Sequence, residues 1–289
     1  KTSAKKIVSY LPGYVSEDLL SKARTYRTPP EKRSIDVAYR GRKIEAFGGR
    51  GALEKFEIGT EFTKRAQKSG LKLDIAMTED ARIYGDDWLR FLANTKTVLG
   101  VESGVSIVDL DGTLQRKYEE LKAQGFARDE EVLKLVEPYE DNVFYRTIGP
   151  RHFEAAALLT PQILFTGSYS QALTPNVDYI ALEKDYSNFD SVIAQIRDAA
   201  FLEEIARRAH QTLILDLRFR YETFFRNVFD ETLKSLGANA PNSRPKQIAR
   251  AERAIRSGET LRYYSTYWVR YKRFRGRKTI VRILKPLLG

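Results

Sequence analysis

Two spacings of apolar residues alternate along the chain. Short runs rich in apolar and β-branched residues at 35–39, 73–77, 97–101, 162–165 and 179–182 have the length and composition of strands. Between them lie longer stretches with apolar residues three and four apart. In 54–69 these are Phe56, Phe62 and Ala66, and in 86–94 they are Trp88, Leu89, Phe91 and Leu92. The segments 54–69, 86–94, 114–124, 129–139, 150–159 and 191–197 therefore read as helices. Punctuation agrees with this. Ser16 caps a helix over 17–24 that Pro29-Pro30 stops, and Gly70 ends the helix over 54–69. Asp129 caps a helix with two Glu in its first turn, and Pro150 suits a first helical position. Beyond Leu213 the pattern is helical without strands: Phe219, Phe224, Phe225, Val228, Phe229 and Leu233 mark one helix, and 237–245 reads as a linker.

Strands alternating with helices predict an α/β fold, a Rossmann-like doubly wound parallel sheet followed by a helical, basic C-terminal extension. The expected division is an interdomain linker at 1–33, the Rossmann-like domain at 34–213 and C-terminal helices with a basic aromatic tail at 214–289. Such sheets bind ligands beyond the carboxyl ends of the strands, which directs attention to the loops 40–51, 78–84, 102–112, 149–151 and 166–176.

Composition narrows the class. At 289 residues the chain is long enough for one large or two small domains. No run approaches the roughly 18 apolar residues of a membrane span, and no apolar leader core follows the basic Lys1–Lys6 stretch. Without cysteine there is no disulfide framework, thiolate metal site or cysteine nucleophile, which suits a reducing cytoplasm. The net charge of +11 is unevenly placed. Residues 244–289 hold 14 Lys or Arg against Glu252 and Glu259, a balance of +12, and the preceding residues sum to −1. The body is neutral and the tail alone is basic. Within 261–275, Tyr264, Tyr267, Trp268 and Tyr271 fall at helical spacing among the basic residues. That pattern fits packing on a partner domain or lying on an anionic membrane surface, and these two are compatible. Binding of single-stranded nucleic acid is the less favoured third reading.

The strongest local signal is Gly149-Pro150-Arg151-His152-Phe153-Glu154-Ala155. A helix opened by Pro150 points its first-turn N–H groups at whatever lies above the sheet, which favours phosphate. Arg151 adds a guanidinium fork, Glu154 sits one turn on where it can accept from ribose hydroxyls, and His152 lies between them. The competing reading is an Arg151–Glu154 surface pair worth a few tenths of a kcal/mol. A second candidate is Glu102-Ser103-Gly104-Val105-Ser106 at a strand end, where a small-residue turn brings backbone N–H groups to an anion. Arg40 and Arg42 flank Gly41 at the end of the first strand and suit phosphate or a solvated loop alike. Asp109 and Asp111 have the spacing of a shared cation site, but Gly112 follows and a turn is favoured. Of the two histidines, His210 reads as structural, and two so far apart do not make a His-based metal site. Hydrolase elbow, P-loop and dinucleotide glycine motifs are missing from the sequence.

Over roughly 145–210, and more loosely from 34 onward, the chain resembles the donor-binding C-terminal domain of GT-B glycosyltransferases, in particular the spore-maturation-protein-like branch. The resemblance rests on Arg151-His152-Phe153-Glu154-Ala155, then 162–165, Gly167, 179–182 and Asp185-Tyr186-Ser187-Asn188. It implies that Arg151 and Glu154 face the diphosphate and ribose of a nucleotide-sugar donor. It also implies a glycan or lipid-linked acceptor, no cofactor, and no metal. Many retaining members carry a second Glu eight positions earlier, facing the transferred sugar; Arg146 stands there instead, so that role does not carry over. The candidate donor-binding set is Arg151, Glu154, His152, Arg146, Ser103, Gly104, Arg40 and Arg42, with no catalytic residue assigned. One set of about five strands is visible where such enzymes have two domains, so an N-terminal domain beyond this chain is expected. The expected setting is cytoplasmic, with the 261–289 tail as a peripheral contact at the inner membrane face. The alternative is a non-catalytic Rossmann-like module whose basic tail binds nucleic acid or an anionic membrane.

Overall fold

The computed structural model describes residues 10–125 and 128–235. Their order is α1 (Glu17–Tyr26), β1 (Ile35–Arg40), α2 (Arg50–Arg65), β2 (Leu73–Ala76), α3 (Gly85–Ala93), β3 (Thr95–Gly100) and β4 (Ser103–Gly104). Then come α4 (Thr113–Ala123), α5 (Asp129–Val136), β5 (Arg146–Thr147), α6 (Pro150–Ala157) and β6 (Gln162–Phe165). The series closes with β7 (Ile180–Leu182), α7 (Phe189–Arg197), α8 (Ala199–His210) and α9 (Tyr221–Ser235). The linker expected at 237–245 and the tail at 261–289 lie outside the described residues.

Five strands form one parallel sheet in the order β2-β1-β3-β6-β7. From β1 the chain steps outward to β2, then crosses back beyond β1 to β3, so the connections diverge between β1 and β3. Alternate strand residues feed opposite layers. Val98, Leu164 and Ala181 pack with Leu92, Phe153 and Leu158 on one face. Val37, Leu99, Ile163 and Ile180 pack with Ile58, Phe62, Val192 and Ile205 on the other. This is the doubly wound arrangement, buried on both faces, and it accounts for strands that read as near-continuous apolar runs.

Several boundaries move, each for a local reason. α2 starts at Arg50 because Gly49, at φ +78°, makes the turn into it. α5 ends at Val136 because Pro138 removes an N–H, and only a short 3-10 turn follows. The two-residue antiparallel pair β4–β5 has no periodicity that a sequence could show. Core and backbone contacts cross both expected boundaries, 33/34 and 213/214. Val15 and Phe219 sit in the same core as α6, and Val15 exchanges backbone hydrogen bonds with Phe219 and Tyr221. One compact unit runs through Glu231, and a second begins at Thr232, whose described part is only the last turn of α9.

The segment that leaves α1 brings two arginines to the far end of α6. The Arg27 guanidinium donates twice to the Ala157 carbonyl, at 3.0 and 2.7 Å. Arg33 is 5% exposed and donates to the carbonyls of Thr28, Thr95, Leu158 and Leu159 and to the Thr160 hydroxyl, at 2.9–3.3 Å. His210 reaches Ala156 O at 2.9 Å. The carboxyl end of α6, where the helix dipole is negative, is thus closed by two guanidinium groups and an imidazole whose pKa burial lowers, and burial holds Arg33 down to about 10.

Candidate functional site

The sheet's divergence point opens a cleft of about 510 Å³. Its floor is the carboxyl ends of β1 and β3, and one wall is the first turn of α6. Loop 78–84 contributes Arg82 and Tyr84, and α3 contributes Trp88.

α6 faces this space because of its sequence. Gly149 is the N-cap without a side chain to cover the helix end, and Pro150 has no N–H to satisfy. His152 folds back so that its ring Nδ1 lies 3.0 Å from the Gly149 N–H, the place a Glu or Gln takes in a capping box. Its own N–H returns to Gly149 O at 3.1 Å. The Arg151 side chain turns over the Trp88 ring, 5.0 Å from its centroid, and donates to the Arg40 carbonyl. Glu154 accepts from the Trp88 indole N–H at 2.7 Å, and burial raises its carboxyl above the ordinary glutamate range although that bond opposes the shift. Arg151 and Glu154 therefore do not hold each other as a surface pair. Each is held by Trp88, one on its face and one at its edge.

The remaining candidates divide. Ser103 and Arg42 line the cleft, and the exposed Arg42 has no partner among the described residues. Arg40 contributes backbone, but its guanidinium is committed to Asp74 at 2.7 Å and stacks on Phe91 at 4.2 Å. Gly104 lies just outside the lining; at φ +96° a Cβ there would overlap the Tyr145 carbonyl oxygen, so only glycine lets β4 pair with β5. Arg146 turns away from the cleft. It sits among Glu54, Glu140 and Asp141 at 3.3–3.5 Å, a structural cluster in which its charge is already matched. Its spacing from Glu154 suggested the cleft, but β5 pairing with β4 directs the side chain to the acids behind. Asp109 and Asp111 accept from Gln115 N and Thr113 N and open α4, the turn that Gly112 indicated. His210 serves the α6 carboxyl end, as its place in an apolar helix predicted.

Two cleft residues, Lys55 and Trp88, were not candidates from the sequence, and a third, Glu102, was marked only as part of the turn over 102–106. Lys55 projects from α2, donates to the carbonyls of Gly51 and Gly104, and burial lowers its pKa. Trp88 reads as a core position of an amphipathic helix. Glu102, 7% exposed, accepts the Tyr169 N–H at 2.8 Å and is, with Glu154, one of two carboxylates on the lining. Glu102 adjoins the marked Ser103-Gly104 turn, whereas nothing in the helical pattern separates Lys55 from a solvated lysine. The cations Arg42, Arg151 and Lys55 around a helix N-terminus, with the Trp88 indole on the lining, suit an anionic ligand carrying an aromatic or ribosyl group.

No protein-family profile and no curated protein matches the chain. Among solved structures it is similar to an alpha-glucosyltransferase in complex with UDP-glucose and DNA containing an abasic site. That match is at 12% identity, TM-score 0.44, with 80% of this chain and 59% of that one covered. It is also similar to Anabaena HepE in complex with UDP-glucose, at 12% identity, TM-score 0.40, covering 74% of this chain and 55% of that one. A C-terminal domain of a Francisella tularensis group 1 family glycosyl transferase is 12% identical, TM-score 0.32, with 71% of this chain and 95% of that domain covered. The chain thus spans 59% and 55% of the lengths of the first two.

Proposed function

We propose that the chain binds a nucleoside-diphosphate sugar in the cleft and forms the donor-binding part of a glycosyltransferase of GT-B type. The observation that carries this reading is the open first turn of α6, with Arg151 beside it, at the point where the parallel sheet diverges. In this reading the diphosphate lies against that turn, Arg151 and Arg42 take its oxygens, and Glu154 accepts from the ribose hydroxyls. Preorganised positive charge would then stabilise the departing diphosphate as the sugar passes to an acceptor hydroxyl of a glycan or lipid-linked glycan. Reaction without a metal belongs to the same proposal, as does a cytoplasmic setting. Among the described residues no helix is long and apolar enough to cross a membrane.

Calorimetry with UDP and GDP tests the reading. Binding to the wild-type chain is expected, weakened about ten-fold or more by Arg151→Ala and by Glu154→Ala, since each removes a charge-assisted hydrogen bond. Failure of every nucleoside diphosphate to bind would remove the assignment. A second reading draws on the charge of +12 within 244–289: a Rossmann-like module whose tail holds an anionic surface or nucleic acid. Salt-sensitive polynucleotide binding without any nucleotide affinity would favour it.

A further inference from the structure

His152 carries a feature that the donor reading does not require. The side chain is 4% exposed and lines the cleft, yet its ring Nε2 has no hydrogen-bond partner. The nitrogen lies near the end of β3, 3.8 Å from where a Cβ on Gly100 would stand. A buried polar atom left open at the mouth of a helix N-terminus is costly unless something else meets it.

The surrounding bonds decide which ring nitrogen carries the proton. Nδ1 lies 3.0 Å from the buried Gly149 N–H and 3.1 Å from the Gly149 carbonyl, so either tautomer has a contact. That carbonyl already accepts the His152 backbone N–H at 3.1 Å. A proton on Nδ1 would strand the Gly149 N–H without an acceptor and leave Nε2 an open acceptor. With the proton on Nε2, Nδ1 accepts from Gly149, the cap is complete, and only one group is left over: a buried Nε2–H, beside Gly100, on a ring that lines the cleft. We infer that His152 is an uncharged Nε2–H donor that binds a phosphate oxygen of the nucleoside diphosphate seated at the α6 N-terminus. Burial fits this state, since it holds the imidazole down at about 4 and the ring stays neutral in the ordinary pH range. The assignment rests on the donor reading and adds what that reading lacks: a donor that adds no charge and is oriented by the helix cap itself.

Two amide substitutions separate the two ring nitrogens. Asn at this position can imitate Nδ1 and keep the Gly149 cap but has nothing at Nε2; Gln can place an N–H where Nε2 lies. His152→Asn is expected to weaken UDP and GDP binding about ten-fold in calorimetry, and His152→Gln to stay within about three-fold of wild type, the size of one hydrogen bond to an anion. In the wild-type chain, histidine nitrogen NMR should show a protonated Nε2 and a bare Nδ1 without ligand, and a shift at Nε2 when UDP is added. A protonated Nδ1, or His152→Asn binding UDP as tightly as wild type, would overturn the inference and leave the donor reading standing. Absence of UDP and GDP binding by the wild-type chain would overturn both.

Discussion

Glu154 shows how one residue can serve a site at the expense of the fold. Burial raises its carboxyl pKa, so the folded chain holds that proton more tightly than the unfolded chain does. Ionising it opposes folding, and its contribution to stability falls as pH rises through the unfolded value and then the folded one. Glu154→Gln keeps an oxygen to accept from Trp88 but carries no charge. The variant is expected to melt at a higher temperature than wild type near pH 7, and the gap is expected to close near pH 4, where both states are protonated. The same change is expected to weaken UDP binding. A melting temperature at neutral pH equal to or below wild type would show that the carboxylate is solvated. The residues that sequence reasoning reached here are those whose chemistry follows from helix position: Pro150 at N1, Arg151 at N2, Glu154 one turn on. Trp88, which orients two of them, was legible only as an apolar position, because its partners are 63 and 66 residues away.

At the scale of the element, α6 is polarised by what closes each end. Its carboxyl end meets Arg27, Arg33 and His210, and its amino end meets the cleft. Arg33→Met would leave several buried carbonyls without donors, and is expected to cost about 3 kcal/mol or more in denaturant unfolding. A loss under about 1 kcal/mol would mean that water replaces the guanidinium. The short β4–β5 pair behaves differently. Gly104→Ala places a methyl against the Tyr145 backbone at a positive φ, and a loss of about 1–3 kcal/mol is expected. Because that pair positions Ser103 on the lining, nucleotide affinity is expected to fall with it, which calorimetry on the folded fraction would show. α6 was legible because Pro150 and the apolar spacing announce it. β4 and β5 were not, since two residues have no period, and their pairing is what sends Arg146 to the acids rather than to the cleft.

At the scale of the molecule, charge is divided between the cleft and the sequence tail. Exposed Arg42 and Arg151 are screened by salt, so raising NaCl from about 0.03 M to about 0.3 M, which shortens the screening length from roughly 18 Å to roughly 6 Å, is expected to weaken UDP binding several-fold. Uncharged uridine, used as the control ligand, should show little change. Replacing the basic residues of 244–289 by Gln in the full chain is expected to leave UDP affinity unchanged, and any binding of the wild-type chain to anionic vesicles or polynucleotide is expected to be lost with them. Loss of UDP binding in that variant would place the tail in the nucleotide site. In the strand order β2-β1-β3-β6-β7 the chain leaves β1 to one side and returns on the other, and that reversal places the cleft between β1 and β3.

By itself the sequence determined what depends on near neighbours. The period of apolar residues set the class of fold, proline and glycine set most element ends, and the start of α6 set a phosphate-suited turn. It also located the excess charge in 244–289. Tertiary structure decided which charges remain available in the cleft. Arg40 and Arg146 are as basic in the sequence as Arg42 and Arg151, yet Asp74 claims one and Glu54, Glu140 and Asp141 the other. Whether a guanidinium is free for a ligand depends on carboxylates brought to it from other elements, and pairing across the sheet, not spacing along the chain, brings them there.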